Sequence, residues 1–170
     1  MEDQTDLFGI PVPSTNEVFL TFVVIHILVA LVCLISGLVA MLREKGQQPH
    51  SRAGRVYFRA MLFVFFTIVI LSIMRWPHNI HLLCIGTLAL AAAWVGQRLV
   101  KSSAGRRTRV HTILMGMSYV LLLTGFYVDN GKNLPFWRQF PQWFFWIFPS
   151  VAGVPVIIVV LFKHPLNARR

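Results

Sequence analysis

Five long apolar runs constrain this chain more than any other feature. Their spacing predicts helices over 18–42, 56–74, 80–97, 110–128 and 143–162. Each run is close to the ~20 residues a helix needs to cross the hydrocarbon layer of a bilayer. Helices suit that medium because they satisfy their own backbone hydrogen bonds. The fold class is therefore all-α, an integral membrane bundle of about five transmembrane helices. The third run is the shortest and reads as the least hydrophobic. It follows the second through Arg75-Trp76-Pro77-His78, and Pro77 makes a hairpin fit better than one continuous helix.

Composition supports the same class. Hydrophobic residues make up 56% of the chain and charged residues only 13%, against roughly a quarter charged in a soluble domain. Too little polar surface remains to wrap a water-soluble globule. A formal net charge of +10 could point to nucleic acid. That partner is set aside, because the basic residues fall in short loops between apolar runs, where they orient a membrane protein. The two cysteines, Cys33 and Cys84, lie inside apolar runs and read as small packing residues. The segment Met1-Glu2-Asp3-Gln4-Thr5-Asp6 lacks the basic region of a cleaved signal, so the first run is expected to remain. No internal repeat or low-complexity linker is visible, and residues 1–170 read as a single domain.

Charge sets a direction. Arg43, Lys45, Arg52 and Arg55 follow the first run; Arg98, Lys101, Arg106, Arg107 and Arg109 follow the third; Lys163, Arg169 and Arg170 follow the fifth. The acids Glu2, Asp3, Asp6, Glu17 and Asp129 gather on the opposite side. Positive loops stay in the cytoplasm, which predicts the C-terminus inside and the N-terminus outside.

Small residues predict which faces touch. His26, Ala30, Cys33, Gly37 and Ala40 share one face of the first helix, and Gly86, Ala89, Ala93 and Gly96 share one face of the third. In lipid, small residues let helix backbones approach closely. His26 is thus predicted to point into the bundle. Beyond Asp129, the aromatic-rich stretch Phe136-Trp137 and Trp143-Phe144-Phe145-Trp146 reads as an anchor at headgroup level. Pro149 and Pro155 are expected to kink or loosen the fifth helix.

The chemistry-bearing residues are six histidines, His26, His50, His78, His81, His111 and His164. His26, His78 and His81 belong near the outer face. His50, in the loop before the second helix, and His111, at the start of the fourth, belong near the inner face, with His164 in the tail. Neutral imidazole ligates haem iron, zinc, copper and non-haem iron, and an ionisable group inside a membrane is a functional candidate by default. One reading places b-type haem on His26 and His81 outside and on His50 and His111 inside. A second gives a zinc or iron ion to His26, His81 and Asp129, as in a metal-dependent membrane enzyme. A third has these residues only pack and hydrogen-bond, as in an accessory or structural subunit. No HExxH, CxxCH or P-loop spacing selects among them. The arginines Arg52, Arg55 and Arg59 recur at helical spacing and suit cytosolic anchoring or anionic headgroups.

His26 with Gly37, Ala40 and Met41, then Lys45-Gly46, His50, Gly54-Arg55, Tyr57 and Met61, resembles the opening of an uncharacterised bacterial family of small multi-pass membrane proteins, a domain-of-unknown-function family. Phe126-Tyr127-Val128-Asp129-Asn130-Gly131 and Phe145-Trp146-Ile147-Phe148-Pro149 extend the resemblance over nearly the whole chain. It implies a multi-helix protein of the bacterial inner membrane with histidines recurring at His26 and His50, and no set activity. The expected partners are the lipid bilayer, with a quinone or another membrane subunit, and no nucleic acid.

Overall fold

A computed structural model describes residues 5–7, 10–12, 16–43, 48–99 and 105–163, without the side chains of 5–7, 10–12, 105–108 and 163. The loop residues Lys45 and Gly46, Lys101 and the tail with His164 lie outside the described residues.

A short antiparallel ribbon comes first, β1 (Thr5–Leu7) and β2 (Ile10–Val12), with Asp6 opposite Pro11. Five helices follow: α1 (Glu17–Leu42), α2 (Gln48–Met74), α3 (Ile80–Leu99), α4 (Gly105–Asn130) and α5 (Gln142–Lys163). All five are long and apolar enough to cross a membrane. The least apolar span is the fourth rather than the third, because Ser118, Tyr119 and Thr124 interrupt it.

Local chemistry fixes the helix ends. Asn16 caps α1, its side chain accepting from the amides of Val18 and Phe19 at 2.9 and 3.2 Å. The extended backbone of Arg43 ends α1, its amide donating to the Val39 carbonyl at 3.1 Å. α2 starts at Gln48 and not at 56. Its first two turns are polar, so hydropathy alone misses them. Pro49 lies in the first turn, where a missing N–H costs little, and so belongs to the helix instead of the preceding turn. A tight turn over Arg75–Asn79 links α2 to α3, closed by the His78 amide on the Arg75 carbonyl at 2.9 Å. α5 continues through Pro149 and Pro155.

The chain divides into two compact units, Met1–Cys84 with Asn133–Arg138, and Ile85–Lys132 with Gln139–Arg170. In the first, α1 packs on α2. Cys33, Ser36 and Gly37 from α1 and Tyr57, Ala60, Met61, Val64, Thr67 and Leu71 from α2 are buried. In the second, the small face of α3 is buried at Gly86, Ala89, Ala93 and Gly96, as its spacing predicts. α3 meets α4 where Gly96 faces Leu114 and Met115. α4 packs on α5 along a glycine seam. A Cβ at Gly116 would stand 2.6 Å from Ile157, and one at Gly153 would run into Val120. The seam brings backbones together as small residues do in lipid.

Candidate functional site

Among the described residues, the imidazoles of His26, His50 and His111 each reach from one helix to its neighbour in the chain. In α1 the stripe predicted to face inward does so at Cys33 and Gly37, and it carries His26 toward α2. There His26 Nδ1 lies 2.7 Å from Thr67 Oγ1. Thr67 is 3% exposed, and its hydroxyl donates back along α2 to the carbonyls of Val64 and Phe63 at 2.8 and 3.1 Å. With that proton engaged, the hydroxyl oxygen can accept from an N–H at His26 Nδ1. Nearer the loop, Cys33 Sγ donates to the Tyr57 carbonyl at 3.7 Å.

His50 sits in the first turn of α2 rather than in a loop before it. Its Nδ1 donates to the carbonyl of Ala40 at 2.8 Å. Ala40 lies in the last turn of α1, where the final four carbonyls have no acceptor role within their own helix. The imidazole therefore caps α1 from the next helix. His111 does the same for α3, donating from Nδ1 to the Gly96 carbonyl at 2.7 Å. Gly96 is again in a last turn. A side chain there would press on Leu114 Cβ and Met115 Sδ, each 3.2 Å from an added Cβ.

These bonds have a chemical corollary. A carbonyl oxygen only accepts, so the neutral rings of His50 and His111 carry their proton on Nδ1. Nε2 then bears the lone pair. A metal-ligating histidine is usually held this way, its other ring N–H fixed by a carbonyl or similar acceptor.

The remaining predicted residues are dispersed. His81 is half-buried in the first turn of α3, and His78 is exposed in the turn before it. Asp129, near the end of α4, is exposed and accepts from Asn130 Nδ2 at 3.4 Å. His26 and His81 fall in one compact unit and Asp129 in the other. Among the described residues, no three His, Cys, Asp or Glu side chains form a group able to hold a metal ion. Cys33 is buried and Cys84 exposed, both as free thiols. Sequence reasoning did not single out Thr67. Its one signal is a hydroxyl inside the apolar run Phe65-Phe66-Thr67-Ile68.

At the other end of α4, the aromatic stretch is ordered around α5. Phe140, Phe144 and Phe148 stack in succession at 4.4 and 5.2 Å, and Tyr127 meets Phe148 edge-on at 5.4 Å. Lys132 donates to the Phe140 carbonyl, and Gln142 to the Val128 carbonyl at 3.0 Å. Trp143 and Phe136 stay exposed, as interfacial rings do.

No family, curated protein or solved structure matches the chain.

Proposed function

We propose that the protein is a multi-pass membrane redox protein that holds b-type haem on intramembrane histidines, His26, His81, His50 and His111. One observation carries the reading: His50 and His111 each donate Nδ1–H to a carbonyl, and His26 Nδ1 meets a hydroxyl that can accept. That tautomer leaves Nε2 as the ligating nitrogen. The chain's contribution is orientation. Thr67, Ala40 and Gly96 hold the rings, and such outer partners raise ligand basicity and fix ring angle. Haem, when bound, supplies one-electron chemistry.

The setting in this reading is the bacterial inner membrane, with the N-terminus outside and the basic loops inside. His26 and His81 then serve the outer half and His50 and His111 the inner. The exposed Trp143 and Phe136 anchor the outer face. A membrane quinone or another membrane subunit is the electron partner. The family resemblance is part of this proposal, and two of its motif residues, Tyr57 and Met61, are 2% and 1% exposed in the α1–α2 core.

The test is a reduced-minus-oxidised spectrum of detergent-purified protein from haem-replete cells. Soret and α bands that vanish in His26→Ala support the proposal. A colourless, metal-free protein refutes it. Zinc or iron at stoichiometric level without haem would favour a metal-dependent enzyme instead. The carbonyl bonds themselves favour a second reading, in which the imidazoles are only clasps of an accessory subunit, and a colourless protein would leave that one standing.

A further inference from the structure

α2 turns one face to α1 and leaves the other uncovered. Tyr57, Ala60, Met61, Val64, Thr67 and Leu71 are buried on the packed side. On the far side stand Arg52, Arg55, Arg59, Phe63 and Phe66, all exposed. At about 100° per residue these five fall in one stripe about 80° wide. At 1.5 Å per residue the arginines cover about 10 Å of the axis, and the two phenylalanines continue the line for about as far again. The stripe is cationic where α2 begins and apolar beyond, with Phe63 and Phe66 63% and 60% exposed.

Arg59 calls for a partner. From Val56 to Met74 it is the only charged residue, and it stands on the uncovered face of a helix long and apolar enough to cross a membrane. A charge inside such a span is costly, and it pairs with an opposite charge or reaches for the interface. Side chains on a helix lean toward its N-terminus, so the stem of Arg59 leans back along the stripe toward Arg55. α2 has no acid of its own. His26 meets Thr67 and Ala40 meets His50, so the hairpin is antiparallel. Glu17, the one acid among the described side chains of α1 and α2, is therefore at the opposite end. The dipole of α2 is positive where the arginines stand, and its first turn holds no acid. The partner these residues fit is an anion from outside the hairpin, with an apolar body to follow Phe63 and Phe66.

We infer that Arg52, Arg55 and Arg59 seat the phosphate headgroup of an anionic phospholipid, whose acyl chains run along α2 over Phe63 and Phe66. Guanidinium forks match phosphate oxygens two at a time, and basic residues beside a span attract anionic lipid. An acidic protein segment would answer the arginines and leave the apolar half of the stripe unused. The inference rests on the bilayer setting proposed above and is independent of haem.

The test is native mass spectrometry of the whole chain in detergent, offered equal amounts of phosphatidylglycerol and phosphatidylcholine with the same acyl chains. Flotation with vesicles of each lipid is run beside it, and circular dichroism checks that helices persist, as expected for exposed positions. Wild type should retain phosphatidylglycerol in excess. Each arginine exchanged for glutamine should cut that preference about fivefold, the worth of one basic residue at an anionic surface. Arg59→Lys should keep part of it, and Phe63→Ser with Phe66→Ser should weaken retention of both lipids alike. The control is Arg98→Gln with Arg109→Gln, two exposed arginines outside α2, which should leave the preference unchanged. A wild-type preference in Arg55→Gln with Arg59→Gln, or an equal loss in the control pair, would overturn the seat. So would a wild type that floats with vesicles yet retains both lipids alike. A wild type that floats with neither lipid removes the bilayer setting itself, and the seat falls with it.

Discussion

Replacing Thr67 with valine removes one hydroxyl from the α1–α2 core and little else. Valine keeps the branched shape, so no cavity opens. The carbonyls of Phe63 and Val64 lose only an extra donor, since each also serves the helix ladder. What is lost is the 2.7 Å bond to His26. A buried polar group deprived of its partner costs about 1–3 kcal/mol. Hydrogen bonds between membrane helices measure lower, averaging about 0.6 and reaching about 1.7 kcal/mol in double-mutant cycles. Thr67 is 3% exposed, so water cannot easily replace it, and we place the coupling near the top of that range, ~1–1.5 kcal/mol. The assay is a cycle of wild type, Thr67→Val, His26→Leu and the double variant, unfolded reversibly in mixed micelles. Additivity within about 0.3 kcal/mol, the behaviour of independent sites, would refute the claim that Thr67 holds His26.

Other outcomes follow from the packing and the charge pattern. Gly153→Leu drives a side chain into Val120 and should lower stability by about 1–3 kcal/mol; Gly153→Ala should be milder and partly rescued by Val120→Ala, both read by thermal melting. Phe145 is fully buried, and Phe145→Ala should cost about 3–5 kcal/mol in the same melt. In detergent, an apolar maleimide should label Cys84 well before Cys33, because only Cys33 is buried; mass spectrometry of the labelled peptides decides. A C-terminal fusion should fluoresce with a cytoplasmic reporter and stay inactive with a phosphatase that needs the outside.

The helices and their contact faces were legible because they have a period. Apolar runs of membrane length gave five spans, and small residues at helical spacing gave the buried faces of α1 and α3. The start of α2 was not legible from hydropathy, since Gln48 to Arg52 are polar whether helical or not. The inward turn of His26 was readable from its stripe, but its partner was not: a lone threonine in an apolar run has no period. The clasps were hidden for a different reason. Their acceptors are backbone carbonyls, which every residue has.

The clasps bear on how such a chain is made. When α1 is complete, its last-turn carbonyls have no donors of their own. Among these, the Ala40 oxygen finds its protein donor in His50, a residue not yet synthesised at that moment. An unsatisfied polar group in hydrocarbon costs several kcal/mol, so until His50 emerges that end of the helix has to stay wetted. Only five residues, 43–47, separate the two helices, and a loop that short closes at small entropic cost. On the membrane reading proposed above, the unit of entry is then the pair, with the trailing histidine releasing the leading helix from water.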